Sequence, residues 1–427
     1  MSSTWKKRLL YWAFLLLVTV IVVEVCPYVV SPLLYGQGYS RSGVKNAMAN
    51  VTQRDGQQLS DSAAAANSGA EANAYLGGHI LHPYLGFVSV PHEQYNRFAL
   101  PGPDPVTPAS NDTVNVFLSG GSVALGLFNS AAETLAQRLS EAEAYKGKHI
   151  RIVLAALGGF KQPQQLMALS YFKSLGAHYD LVINLDGFNE AVLPYSDNLS
   201  FGIHPSYPRH WHIYSRKRLD SKVQYFIARQ LALQQQQNEL KAKWERRHYN
   251  LSNFGLMLWN VRNTALMNAL AEVEGELRAA VQGSESSYQS TGPVEAVSDT
   301  AQFFTGLAER WAYASVQMRH LAEGGGGRYV HFLQPNQYVE GSKELTEEEL
   351  EIAYEENDFA YKTGVLRGYG DLMAQGAVLQ AQGVDFVDLT PVFREEQRTV
   401  YNDKCCHFND LGYRLIAEAI ASHIVNL

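Results

Sequence analysis

The sequence contains the residue types of a hydrolytic relay in two distant places. Near the C-terminus, Asp403, Cys405 and Cys406 precede His407. A histidine in a loop with a nearby aspartate is half of such a relay, because the carboxylate orients the imidazole that removes a proton from a serine. Ser122, far upstream, is the matching serine.

Ser122 follows an apolar stretch, residues 115–118, and the glycine pair Gly120-Gly121. This pattern predicts a strand, a tight turn and the start of a helix, because glycine permits the sharp reversal that such a turn needs. The backbone N–H of Ser122 would then face a developing oxyanion. The alternative is an ordinary strand-to-helix turn in which Ser122 only caps the helix.

Two further strand-end loops carry candidate donors. An apolar strand over residues 150–154 leads to a turn with Gly159, and another over residues 181–185 leads to Asn189. In an open parallel sheet, ligands bind beyond the carboxyl ends of the strands, so these loops should converge on one crevice. The N–H of Gly159 and the side-chain amide of Asn189 would join the N–H of Ser122 as oxyanion donors.

The order of these motifs resembles the SGNH (GDSL-type) hydrolase superfamily, over about residues 111–202 and 328–427. The resemblance implies Ser122 as nucleophile, with Gly159 and Asn189 as oxyanion donors. It also implies His407 as the general base and Asp403 as the residue that orients it. The implied fold is a three-layer α/β/α parallel sheet, SGNH hydrolase-like and flavodoxin-like.

The sequence departs from the family pattern at two points. The usual Gly-Asp-Ser has glycine at its middle position, Gly121, and the aspartate that normally lies three residues before the histidine is replaced by Lys404. Asp403 lies four residues before His407, and an irregular loop would absorb the extra residue. Asp388, at the end of a predicted strand, is a second candidate, which we expect instead to brace the turn that follows.

The N-terminus has the pattern of an uncleaved signal anchor. Lys6, Lys7 and Arg8 precede an apolar run over residues 9–23, and apolar residues resume over 25–34. This length reaches the ~20 residues that a bilayer crossing needs. No small-residue cleavage site follows, and the basic residues would stay in the cytoplasm. We therefore predict a single-pass inner (cytoplasmic) membrane protein with a periplasmic catalytic domain.

Composition shifts divide the chain into five predicted parts. Residues 1–34 form the basic end and transmembrane anchor. Residues 35–75 form a flexible or loosely helical stalk, because they contain too few large apolar side chains to form a core. Alternating strands and helices predict two parts of one SGNH-like domain, at 76–202 and 326–427. Between them, residues 203–325 form a mainly helical insertion that we expect to act as a lid.

The net charge bears on nucleic-acid binding, and a histidine-rich segment bears on metal and sugar binding. A net charge of −7 gives no electrostatic case for nucleic acid. His204, His210, Trp211 and His212 lie close together in sequence after the Asn189 loop. These side chains could pack within the protein, stack on a sugar or bind a metal, and packing is the interpretation we favour. We assign no metal and no cofactor.

The three cysteines do not form a disulfide scaffold, since Cys26 lies in the membrane segment. Cys405 and Cys406 are adjacent, and in an oxidising compartment they could form a vicinal disulfide that stiffens the His407 loop. A catalytic cysteine is the rival hypothesis, but Ser122 is better placed.

Three functions fit this pattern. The first is a membrane-anchored esterase acting on an acyl ester, with an acylated envelope glycan as the expected substrate. The second is an O-acyltransferase in exopolysaccharide modification, which would use the same relay with a sugar hydroxyl in place of water. The third is a catalytically weak scaffold. In all three, the N-terminal helix holds the chain in a membrane, and none involves nucleic acid.

Overall fold

The computed structural model describes residues 3–35, 38–53, 79–214, 221–283, 288–293, 295, 297 and 299–426. Most of the predicted stalk, residues 35–75, lies outside the described residues. The chain divides into two compact units: Met1–Gln57 with Ser221–Ala280, and Gln58–Asp220 with Val281–Leu427.

The second unit is built on a parallel β-sheet. A short antiparallel hairpin, β1 (His79–His82) and β2 (Gly86–Ser89), precedes it. The sheet strands are β3 (Thr113–Gly120), β4 (His149–Ala156), β5 (Leu181–Asp186), β6 (Arg328–Leu333) and β7 (Asp385–Asp388). Their order is β4-β3-β5-β6-β7, and every neighbouring pair is parallel. The predicted α/β class and parallel sheet are therefore confirmed.

The sequence of the central strands explains their position. All six residues of β5 are buried, and so are all residues of β3 except the first. A strand that is buried at every residue, rather than at alternate residues, is covered on both faces, which is the usual situation in parallel sheets.

The helices of this unit form two groups. On one side, α3 (Ser122–Leu139) packs against α13 (Asp410–Val425) and against the central strands. On the other, α10 (Thr300–Glu323) packs against α4 (Gln164–Ser174), α12 (Ala360–Ala381) and β6. The shorter helices are α5 (Phe188–Leu193), α6 (Trp211–Tyr214), α9 (Tyr288–Thr291) and α11 (Glu347–Ile352). The buried strands lie between these groups.

The strand order places the candidate site. The chain runs from β3 outward to β4, then returns past β3 to β5, so β3 lies between them. In the sheet register, Gly120 at the end of β3 pairs with Ala156 of β4 and with Leu185 of β5. The loops after these three strands therefore start side by side, at the switch point where open α/β sheets bind ligands.

The first unit is helical. Its α1 (Ser3–Tyr35) contains the segment Leu10–Leu33, of mean hydropathy 2.5, which is long and apolar enough to cross a membrane. Three more helices follow: α2 (Arg41–Gln53), α7 (Ser221–Arg246) and α8 (Asn253–Gly283). Their apolar faces meet in a small core of their own, formed by Val44, Met48, Val51, Trp244, Leu256 and Trp259.

The structure groups two segments differently from the predicted boundaries. Residues 41–53, inside the predicted stalk, form α2, whose Met48 is buried in the core of the first unit. Helix α10, inside the predicted insertion, packs on β6 and belongs to the sheet unit. Both differences have one physical cause: an amphipathic helix shows in sequence that it has a partner, but not which partner it has. The lid function of the insertion stays a prediction.

Candidate active site

The structure brings Ser122, His407 and Asp403 together. Ser122 Oγ lies 2.8 Å from His407 Nε2, and His407 Nδ1 lies 2.5 Å from Asp403 Oδ2. Both distances are within hydrogen-bond reach, and each imidazole nitrogen has a different partner. This is the arrangement in which a carboxylate orients a base toward a hydroxyl nucleophile.

The turn before Ser122 accepts only glycine at its first position. Gly120 has φ +150°, and a Cβ on it would collide with the carbonyl oxygen of Leu185 in the neighbouring strand. Ser122 then begins α3, so its N–H is one of the unpaired groups of a helix N-terminus. Among the residues that the structure describes, no side-chain hydrogen bond caps this helix start. The prediction of strand, turn and helix over this segment is confirmed.

The loop before His407 wraps around one carboxylate. Asp403 Oδ1 accepts hydrogen bonds from the backbone N–H groups of Cys405 (2.9 Å), Cys406 (3.0 Å) and His407 (3.2 Å). Its other oxygen, Oδ2, is left for the imidazole. Asp403 therefore reaches His407 although it lies four residues before it, because this turn accommodates the extra residue.

The electrostatics of the pair keep both members charged when the imidazole is protonated. Burial alone would raise the pKa of Asp403, but the charge and the hydrogen bonds of His407 outweigh burial and lower that pKa to about 2. Burial alone would lower the pKa of His407, but the charge of Asp403 and its hydrogen bond raise that pKa well above its usual value. His407 is thus a stronger base than an isolated imidazole.

Asn189 lies beside the nucleophile turn. Its Nδ2 donates a hydrogen bond to the carbonyl oxygen of Phe160 at 2.6 Å, and a Cβ on Gly121 would collide with the same nitrogen. A side-chain amide carries two N–H donors, so one remains after the bond to Phe160. Asn189 therefore has a donor for an oxyanion formed next to Ser122.

Gly159 lies in the neighbouring loop with φ +81°, a conformation that favours glycine. Within the described part of the chain, its N–H donates to no backbone carbonyl. Gly159 thus lies in the loop after β4, whereas Asn189, which we expected in a loop, lies in the first turn of α5 directly after β5.

Glu190 holds the two donor loops together. Its Oε1 accepts hydrogen bonds from the backbone N–H of Gln162 (3.1 Å) and from Gln165 Nε2 (2.9 Å), and its Oε2 accepts from the backbone N–H of Gly187 (2.8 Å). Burial raises the pKa of this carboxyl to about 8, and the charge of Asp186 acts in the same direction. The residue fixes the spacing between the Gly159 and Asn189 loops.

Asp388, the second candidate for orienting the base, has another role. Its side chain is exposed, and Oδ1 accepts a hydrogen bond from the backbone N–H of Thr390 at 2.8 Å. It braces the turn after β7, as we expected of it.

Arg209 is a neighbour of the site that the sequence analysis missed. Its Cδ would lie 2.9 Å from a Cβ on Gly159, so the arginine side chain passes directly over that glycine. Asp197 Oδ2 lies 2.5 Å from Arg209 Nε, and Arg209 Nη2 donates to the hydroxyl of Tyr361 at 2.9 Å. No local sequence motif predicts this position, because Gly159, Asp197 and Tyr361 come from three separate segments.

Lys161 fastens the segment that carries Arg209. This side chain is 1% exposed, and its Nζ donates hydrogen bonds to the carbonyl oxygens of Pro205 and, at 2.6 Å, of Tyr207. Burial lowers the pKa of Lys161 to about 7. The sequence did not predict these contacts, because nothing in the local pattern around Lys161 indicates a partner.

Two histidines of the histidine-rich segment, His204 and His212, have contacts with other side chains of the protein. His212 stacks on Phe201 with ring centroids 4.0 Å apart, and His204 Nδ1 lies 2.7 Å from Ser206 Oγ. The other ring nitrogen of His204 lies 3.1 Å from a carboxylate oxygen of Glu295. His212 therefore packs as we favoured, whereas His204 is held by polar contacts with Ser206 and Glu295.

The adjacent cysteines are free thiols in this structure. Cys405 Sγ lies 2.8 Å from Cys406 Sγ, and Cys406 Sγ lies 4.0 Å from His407 Nε2. Burial raises the pKa of both thiols. A thiol that resists ionisation is a poor nucleophile, so Ser122 remains the better candidate.

No model of a known protein family matches the chain, and a search of curated proteins also gives no match.

Proposed function

We propose that this protein is a membrane-anchored serine esterase of the SGNH (GDSL-type) superfamily. The observation that carries the proposal is the continuous relay from Asp403 through His407 to Ser122, with contacts of 2.5 and 2.8 Å. The strand order supports it, because a parallel sheet with β3 between β4 and β5 has the flavodoxin-like order, with the relay at its switch point. A scaffold would have no need of the Asp403 contact.

The reaction would proceed through an acyl-enzyme. His407 Nε2 takes the proton of Ser122, and the alkoxide oxygen forms a bond to the ester carbonyl carbon. The N–H groups of Ser122, Gly159 and Asn189 stabilise the tetrahedral oxyanion. When the intermediate collapses, His407 gives the proton to the leaving alcohol, and water then releases the acyl group by the same steps in reverse order.

Hydrolysis of 4-nitrophenyl acetate by the purified full-length protein tests this proposal. We expect turnover by the wild type and a loss of at least 10³-fold in Ser122→Ala, because removing the nucleophile leaves only the contribution of the oxyanion hole and binding. Ser174→Ala, at the exposed end of α4, is the matched control and should be as active as the wild type. Full activity in Ser122→Ala would refute the nucleophile assignment.

The acyl acceptor decides between hydrolysis and transfer. An acetylated envelope glycan is the substrate class we propose, with water as acceptor. If purified enzyme and an acetyl donor are incubated with candidate glycans, an esterase releases labelled acetate. Label on the sugar would instead assign the O-acyltransferase reaction to the same Ser122 intermediate.

We further propose that α1 anchors the protein in the inner membrane with the catalytic unit in the periplasm. Residues Lys6, Lys7 and Arg8 support this orientation, since positive charge beside an apolar helix stays cytoplasmic. Protease added to spheroplasts should remove a C-terminal tag from the wild type. A tag that becomes sensitive only after the membrane is dissolved would contradict the orientation.

A further inference from the structure

The two adjacent cysteines present their sulfur atoms to the same side of the chain. Neighbouring side chains usually point apart, yet Cys405 Sγ and Cys406 Sγ lie 2.8 Å from each other. The cause is the turn around Asp403, whose Oδ1 accepts the N–H groups of both cysteines and so bends the backbone tightly. Asn336 Nδ2 also donates to the carbonyl oxygen of Cys405 at 2.9 Å, which holds this turn in place.

The catalytic imidazole completes a three-donor cluster with these sulfurs. Within the described residues, the ligand atoms of Cys405, Cys406 and His407 all lie within 4.8 Å of one another. Zinc binds thiolate sulfur at about 2.3 Å and imidazole nitrogen at about 2.0–2.1 Å, so two sulfurs on one ion are at most about 4.6 Å apart. In a tetrahedral site two such sulfurs lie about 3.8 Å apart, so the Sγ–Sγ distance of 2.8 Å must widen by about 1 Å. The Sγ–Nε2 distance of 4.0 Å already lies within the span of one ion.

We propose that Cys405, Cys406 and His407 bind a thiophilic divalent cation such as Zn²⁺ or Cd²⁺, and that this binding inhibits the relay. Two sulfurs and one imidazole nitrogen form the donor set that soft and borderline metals prefer over Mg²⁺ or Ca²⁺. The inhibitory part rests on the proposed esterase function. The cation site itself does not.

The inhibition follows from a single shared atom. His407 Nε2 lies 2.8 Å from Ser122 Oγ, and this nitrogen must accept the serine proton during catalysis. A metal ion bound to Nε2 uses the same lone pair. Binding would release the two thiol protons to the solvent, change no oxidation state and leave Ser122 without a base. Cation and catalysis therefore exclude each other.

The experiment uses the reduced full-length protein in detergent, titrated with Cd²⁺. Cadmium thiolates absorb in the ultraviolet, so binding is measured without reference to activity, and esterase activity is measured on the same samples. We expect one equivalent to produce the absorption and to inhibit hydrolysis in parallel. Cys405→Ser and Cys406→Ser should each weaken binding at least tenfold, whereas Cys26→Ser, which removes the free cysteine of α1, should bind like the wild type.

The outcomes separate the two proposals. Equal binding by the wild type and both serine variants at positions 405 and 406 would overturn the site. Stoichiometric binding that leaves hydrolysis unchanged would overturn the inhibition. Ser122→Ala should bind Cd²⁺ normally, since its hydroxyl is not among the three donors. If the wild type binds Cd²⁺ but hydrolyses no ester, the cation site stands, and the esterase function fails together with the inhibitory role.

Discussion

The side-chain nitrogen of Asn189 lies so close to the α-carbon of Gly121 that a Cβ at position 121 would overlap it. The turn that carries the nucleophile and the residue proposed to bind the oxyanion are thus fitted to each other. A side chain at position 121 would displace Asn189, so the turn needs glycine there.

Gly121→Ala should therefore damage catalysis while the fold persists. The new methyl group would push the Asn189 amide out of the site, and losing one oxyanion donor costs about 10²–10³-fold in kcat. Ester hydrolysis and a thermal melt of the same preparation measure both effects. Gly370→Ala in α12 is the control, because a Cβ there meets open space. A Gly121→Ala enzyme with normal kcat would contradict the placement of Asn189.

The two positions should also be coupled. Asn189→Ala alone should lower kcat by about 10²–10³-fold, for loss of the same donor. If Gly121→Ala acts by displacing Asn189, the double variant should be no slower than the slower single variant, because the interaction is already lost. A double-mutant cycle of kcat measures this. If the two substitutions instead lowered kcat by the product of their single effects, Gly121→Ala would act on catalysis without displacing Asn189.

The rate should depend on pH through His407. The base works only when neutral, and Asp403 raises its pKa well above the ordinary value, so activity should fall as the pH drops through that raised pKa. We expect the ascending limb of the kcat/KM profile to lie above pH 6.5, the usual value for histidine. Asp403→Asn should lower the rate and move the limb to lower pH. An ascending limb at or below 6.5 in the wild type would contradict the pairing.

Lys161→Met should loosen the segment over Gly159. The lysine donates two hydrogen bonds to backbone carbonyls of that segment, and each bond from a charged donor contributes about 1.5–3 kcal/mol. The lowered pKa of Lys161 reduces the net gain, so we expect the variant to unfold at a temperature several degrees lower. Thermal melts compared with the exposed Lys148→Met variant measure this. Identical melting of both variants would show that the two bonds contribute nothing.

Much of the sheet could be predicted from the sequence, because β3, β4 and β5 are short, mostly apolar runs that end in a turn. The relay could be found for the same reason: Ser122 and Asn189 follow two of those strands. Arg209 could not be found, since its contacts with Asp197 and Tyr361 join segments that no local pattern relates. The membership of α10 was missed because amphipathic spacing does not identify a partner.

The turn around Asp403 could not be predicted either. Sequence spacing alone made Asp403 one residue too distant from His407, and only the three N–H groups collected by its Oδ1 show how the chain takes up that residue. Irregular loops are stabilised by such individual hydrogen bonds, which leave no periodic trace in a sequence.

The packing of α3 against α13 has a consequence for biosynthesis. Ser122 begins α3, and His407 lies just before α13, 285 residues later in the chain. A ribosome must therefore synthesise both segments before the contact between Ser122 and His407 can form. The esterase activity that we propose would therefore begin only when α13 packs against α3.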